Sequence, residues 1–157
     1  MIDYTFFQDG LLMVDGALAL ATPSPTNEGV RGRIESFIGI YEPEYLRKLL
    51  GEELYDNFLA DENSSSWEEF KSMLVVDKVS PIANYVYFFL LRHSNSTATI
   101  NGVKADGENL VSPQRKMIYA WNNMVEMNRK LYVWLCKNKK NVQTEQELLE
   151  TINEFNV

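Results

Sequence analysis

Hydrophobic positions are densest between Ser80 and Cys136, and their pattern changes twice there. In Ile82-Ala83-Asn84-Tyr85-Val86-Tyr87-Phe88-Phe89-Leu90-Leu91 one side chain in ten is polar, so a helix made of this stretch is apolar on every face. Such a helix must be surrounded by other elements. Ser80 suits an N-cap, Pro81 the first helical position, and Arg92-His93 the negative end of the helix dipole. From Ser112-Pro113 to about Lys137 the pattern becomes a stripe: Met117, Trp121, Met124, Asn128, Leu131 and Leu135 recur at spacings of 4, 3, 4, 3 and 4. That is the narrow seam of a helix roughly 39 Å long lying along another, with Asn128 its one polar member and Val125 and Tyr132 widening it. Between the two, Ser94 to Val111 loses helical periodicity. Thr97-Ala98-Thr99-Ile100 and Val103-Lys104 flank Asn101-Gly102, a pairing that favours a type I′ hairpin turn.

Upstream, Val30, Ile34, Phe37, Ile38 and Tyr41 predict a helix capped by Asn27, and Pro43 opens a second that ends at Gly51. A third spans Glu52 to Ala60. Ser65 with Glu68, or Ser66 with Glu69, offers a capping box for a fourth through about Val75. Downstream, Thr144 with Glu147 caps a final helix carrying Leu148, Leu149, Ile152 and Phe155. Residues 1–26, without steady periodicity and ending in Thr22-Pro23-Ser24-Pro25-Thr26, read as an arm that lies against its own domain or a neighbouring subunit. The fold class expected is therefore all-α: a bundle of about five to seven helices with a β-hairpin-like excursion between its two longest core helices. One domain spans 1–157: the arm (1–26), a helical part (27–93), a loop or hairpin (94–111), then the long helix and the C-terminal helix (112–157).

Composition narrows the function classes. Hydrophobic residues at 45% and charged ones at 24% are globular values, and 157 residues suffice for a core without metal or disulfide support. The single Cys136 excludes an intramolecular disulfide and reads as a small apolar residue near a helix end. A net charge of −7 argues against holding nucleic acid by its phosphates. Charge is uneven, because residues 112–140 carry +6 and the remainder −13. No basic region precedes the apolar run from Gly10 to Ala21, and the core helix is shorter than the roughly 20 apolar residues a bilayer needs. The expectation is a protein neither secreted nor in a membrane.

Catalysis needs convergent groups, and the sequence offers few. His93 is the only histidine and has no cysteine or histidine partner for a metal site, and no phosphate-binding, dinucleotide, zinc-protease or nucleophile-elbow motif is present. Glu52-Glu53 and Glu68-Glu69 are adjacent and point apart on a helix. No catalytic residue, cofactor or metal is assigned, and the chain is not read as an enzyme.

One family resemblance bears on function. Phe37-Ile38, then Tyr45-Leu46-x-x-Leu49-Leu50-Gly51-x-x-Leu54-Tyr55, Pro81-Ile82-Ala83-Asn84-Tyr85-Val86-Tyr87-Phe88, the excursion, and Val111-Ser112-Pro113 leading to Ala120-Trp121-Asn122-x-Met124 succeed one another over residues 27–137. This order resembles small head–tail connector proteins of tailed phages, of the kind found in phages and prophages of gut Bacteroidetes. The resemblance implies a virion subunit, made in the bacterial cytoplasm, that assembles into a homo-oligomeric ring beneath the portal protein. Such a ring extends the DNA channel and offers a platform to a tail or stopper protein. An acidic balance fits a wall past which DNA slides without being gripped. Intersubunit contacts are then expected at Phe6 and Phe7 of the arm and at Ile100, Asn101, Gly102 and Val103 of the excursion. The alternative from the residues alone is a small helical module holding a peptide or small ligand through its arm or aromatic cluster.

Overall fold

In the computed structural model the described residues are 1–17, 25–61, 63–94, 96–99, 102–105 and 113–155. Five α-helices lie among them: α1 (Pro25–Leu50), α2 (Glu52–Ala60), α3 (Glu68–Leu74), α4 (Pro81–Ser94) and α5 (Gln114–Asn138). The fold is mostly helical and its core is all-α.

The apolar stretch forms α4, and every side chain from Ile82 to Phe88 is buried. Ser80 caps it, its Oγ accepting from the Ile82 amide at 3.1 Å. The one polar side chain, Asn84, donates to the Ser80 carbonyl at 2.9 Å and accepts from the Asn123 amide at 3.2 Å, so its burial leaves neither end bare. α5 packs along one side of α4 and α1 along another, while Phe7 of the arm stacks on Tyr87 with ring centroids 6.4 Å apart. Each such apolar side chain contributes about 1.5–3 kcal/mol by leaving water. All six expected seam positions of α5 are buried, as is Val125, but Tyr132 is exposed and does not widen the stripe.

Three boundaries differ from the sequence reading. The two helices expected on either side of Pro43 are one. Buried Ile34, Ile38, Tyr45 and Leu49, with half-buried Tyr41, keep a single phase across the proline, so the core sees one continuous stripe. A mid-helix proline costs about 3 kcal/mol, and packing on both sides offsets it. Asn27 lies inside α1, which starts at Pro25. Neither expected serine capping box forms. Ser64 caps instead, its Oγ accepting from the Ser66 amide at 3.2 Å, and a 3-10 turn over Ser65–Trp67 leads into α3. α3 stops at Leu74 because Val75 is extended and feeds a tight turn, Val76 to Val79, with Asp77 at φ 52°.

The C-terminal segment differs as well and makes only a 3-10 turn, Gln146–Leu149, rather than a helix. Beyond the turn it runs back along α5. Phe155, expected within that helix, is 98% exposed.

Between α4 and α5 two strands, β1 (Ser96–Thr99) and β2 (Gly102–Ala105), pair antiparallel with Thr99 opposite Gly102. Ile100 and Asn101, where the type I′ turn is expected, lie outside the described residues, as does 106–112.

Candidate functional site

For a chain read as an assembly subunit, the sites to locate are its surfaces. Residues 1–17 of the arm fold onto their own domain. The Ile2 amide donates to Glu42 Oε2 at 3.1 Å and the Tyr4 amide to Glu35 Oε1 at 3.0 Å, which ties the segment to α1. The Arg31 guanidinium lies 5.3 Å from the centre of the Tyr4 ring. Phe7 is fully buried among its own chain's residues, so its ring has no surface to offer a neighbour. The apolar pair at 6 and 7 is thus divided between core and surface. Phe6 is half-buried and lines a groove of about 250 Å³ with Leu11, Leu12, Val79 and Tyr119, floored by Asn84 and Asn123. Leu11 on its rim is 69% exposed.

Of the other expected contact residues, Gly102 and Val103 belong to β2, with Val103 opposite Ala98 and Gly102 opposite Thr99. Ile100 and Asn101 lie outside the described residues. Neither strand has an extensive neighbour among the described elements besides the other strand.

The aromatic cluster is packing. Tyr41 stacks on Phe89 at 4.3 Å, and Tyr85 lies within 6.1 Å of Tyr45, Phe89 and Trp121. Beside it a cleft of about 300 Å³ is lined by Phe88, Phe89, Arg92, Lys48 and Glu147. His93 Nε2 is 3.0 Å from the Tyr41 hydroxyl and its ring meets Phe37 edge-on at 5.6 Å. This is a structural setting for the only histidine. Among the described residues no group of three or more His, Cys, Asp or Glu could hold a metal ion, and no helix is long and apolar enough to cross a membrane. Cys136 is exposed, not the covered apolar residue expected, because it lies off the α5 seam, on the side away from α4. The basic residues of α5 and its end form a solvated face, except Lys139, whose ammonium sits 3.6 Å from the centre of the Trp67 ring.

Three core phenols respond to pH. Burial raises Tyr45 and Tyr87, and it raises Tyr85 together with the hydrogen bond that phenol donates to Glu44 at 2.8 Å. Unfolded phenols release their protons near 10.0 while these keep theirs, so unfolding releases protons in alkali. Stability from these groups is fully present below pH 10.0 and falls as pH rises above it. In a spectrophotometric titration the phenolate absorbance of these three appears only with the cooperative loss of helical circular dichroism; ionisation ahead of that loss contradicts the assignment.

Sequence reasoning missed a row of side chains on α5 that hold the C-terminal segment. Trp121 Nε1 donates to the Glu150 carbonyl at 2.9 Å, Asn128 Nδ2 to that of Leu148 at 2.9 Å, and Gln114 Nε2 to that of Glu154 at 2.8 Å. Asn122 grips Ile152 twice, donating to its carbonyl at 3.0 Å and accepting from its amide at 2.8 Å. One signal was available: Asn128 stands in an otherwise apolar seam, and a buried amide there needs partners on both its ends.

No protein-family model, curated protein or solved structure matches this chain.

Proposed function

We propose that this chain is a structural head–tail connector subunit of a tailed phage or prophage, one copy of a ring that seats beneath the portal protein, extends the DNA channel and receives a tail or stopper protein. The observation that carries the reading is the strand pair between α4 and α5. Two four-residue strands alone are marginal in water, and these have no extensive neighbour among the described elements. The outer edge of a two-stranded pair is the kind of template a second chain completes. A strand pair placed between the two central helices suits a contact between copies. The sequence resemblance over residues 27–137 points the same way. DNA passes through such a ring without specific recognition, in keeping with a net charge of −7.

The test is assembly. Purified protein, alone or with a portal, is expected to give closed rings in negative-stain images and a mass that rises with concentration in light scattering. Deleting residues 96–108 is expected to abolish the rings while leaving helical circular dichroism unchanged. A deletion variant that assembles as well as the intact chain removes the strand pair from the interface, and a monomer at every concentration, with and without portal, overturns the connector reading.

A second reading has one observation behind it. The groove beneath the arm, with Phe6, Leu11 and Tyr119 around the Asn84–Asn123 amide pair, has the apolar walls and polar floor of a peptide or small-ligand site. A persistent monomer that binds an apolar peptide there, with Leu11→Asp abolishing the binding, would favour a binding module.

A further inference from the structure

Residues 148–154 are held like a bound peptide. Carbonyls of Leu148, Leu149, Glu150, Ile152 and Glu154 meet donors on α5, which are Asn128, Arg129, Trp121, Asn122 and Gln114 in turn, so the segment runs broadly against the direction of the helix. Glu150, just past the 3-10 turn, is extended at φ −108° and ψ 130°, and residues 151–153 follow with neither helix nor turn, so the middle of the segment lies along α5 as open backbone between a turn at each end. The grip is on the main chain. Of the side chains in this strap Leu148 is buried and Leu149 and Ile152 are half-buried, whereas Glu150, Thr151, Asn153 and Glu154 are exposed.

Two consequences pull in opposite directions. Little apolar area is lost when the strap lifts, so it belongs to the least stable part of the fold. What it leaves behind is an uncovered part of the core: Asn128 and Trp121, buried while the strap is seated, each lose their protein acceptor when it lifts. Whatever refills the groove must present backbone carbonyls to the α5 donors and carry an apolar residue for the Leu148 pocket with a second one four residues on. The same segment of another copy meets all of these conditions by identity.

We infer that two copies of this chain exchange their C-terminal straps, each copy's residues 143–154 seating on the other's α5. The hinge is Lys139–Val142. It follows the end of α5, contains Asn141 in the left-handed conformation at φ 57°, and has reach of about 14 Å when extended. Exchange converts a contact within one chain into one between chains with no new chemistry. The inference does not depend on the connector reading, since an exchanged dimer satisfies it as well as a ring.

A reporter is built into the wild-type chain. Lys48 Nζ lies 2.5 Å from Glu147 Oε1 at the root of the strap, close enough for a carbodiimide to join them without a spacer. Equal amounts of full-length chain, one at natural isotope abundance and one labelled with nitrogen-15, are mixed, incubated at a series of concentrations, crosslinked and digested. Exchange predicts mixed-isotope Lys48–Glu147 peptides approaching about half of all such pairs at high concentration and none at high dilution. Light scattering on the same samples separates the two ideas. Same-isotope pairs only, in a mixture that has assembled, overturn exchange and leave the connector reading standing; same-isotope pairs only, in a persistent monomer, overturn exchange and count against both. Loss of the crosslink on assembly, without mixed pairs, means that something other than a second copy fills the groove, and overturns exchange too.

Discussion

Gly51→Ala is expected to lower folding stability by about 3 kcal/mol, a large effect for adding one methyl group. Two independent causes add. Gly51 joins α1 to α2 at φ 77° and ψ 160°, a region that side-chain-bearing residues pay about 1–3 kcal/mol to enter. A Cβ built there would also sit 2.8 Å from Gln143 Cβ and 3.5 Å from its Cα. The clash is with the root of a side chain and its backbone, so no rotamer change relieves it, and the segment leading into the strap must move. That segment is pinned directly after Gln143, by the Thr144 hydroxyl donating to the Leu49 carbonyl at 2.6 Å and by the Glu145 amide donating to that of Lys48 at 2.9 Å. Urea unfolding followed by circular dichroism measures the loss, with the slope unchanged. Gly39→Ala is the control, since it lies inside α1 with open space around it. There alanine is expected to raise stability by about 0.5–1 kcal/mol, because glycine is the poorer helix former. Equal effects at the two sites would refute the steric account.

What could be read in advance follows the range of the interactions. The helical pattern of α4 and the α5 seam is local and strong, so both helices and their buried faces were legible from residues alone. Gly51 was placed correctly at a helix end, but its close approach to Gln143 pairs residues 92 positions apart in the chain, and no local signal carries that. Pro43 misled for the reverse reason. Local chemistry asks for a break there, and the unbroken burial phase from Ile34 to Leu49 overrides it. In the C-terminal segment, Leu148, Leu149, Ile152 and Phe155 have helical spacing, yet the backbone finds its partners on α5 instead. A helix would have satisfied its own carbonyls and left Trp121, Asn122 and Asn128 without theirs. The polar residues of one element thus set the conformation of another, which a periodicity argument applied element by element does not reach.

Asn128 is where that dependence is most concentrated, and Asn128→Leu is expected to cost about 3 kcal/mol despite similar volume and greater hydrophobicity. Its Oδ1 accepts from the Tyr45 hydroxyl at 2.5 Å and its Nδ2 donates to the Leu148 carbonyl at 2.9 Å, with the side chain fully buried. Leucine fills the space and orphans both partners. The Tyr45 hydroxyl is itself wholly buried and has no water to turn to, while the Leu148 carbonyl can recover a partner by lifting into solvent. The loss therefore has two readouts. Global stability falls because of Tyr45, and amide hydrogen exchange from Leu148 to Glu154 quickens because the strap is released. Adding Tyr45→Phe to Asn128→Leu removes the orphaned hydroxyl, and the double variant is expected to be more stable than the sum of the single losses predicts, by about 1–2 kcal/mol. Strap exchange rates should stay fast in the double variant, since nothing has been restored to Leu148. Strict additivity in the cycle, or slow exchange in the strap of Asn128→Leu, would show that Asn128 does not couple α1 to the C-terminal segment through α5.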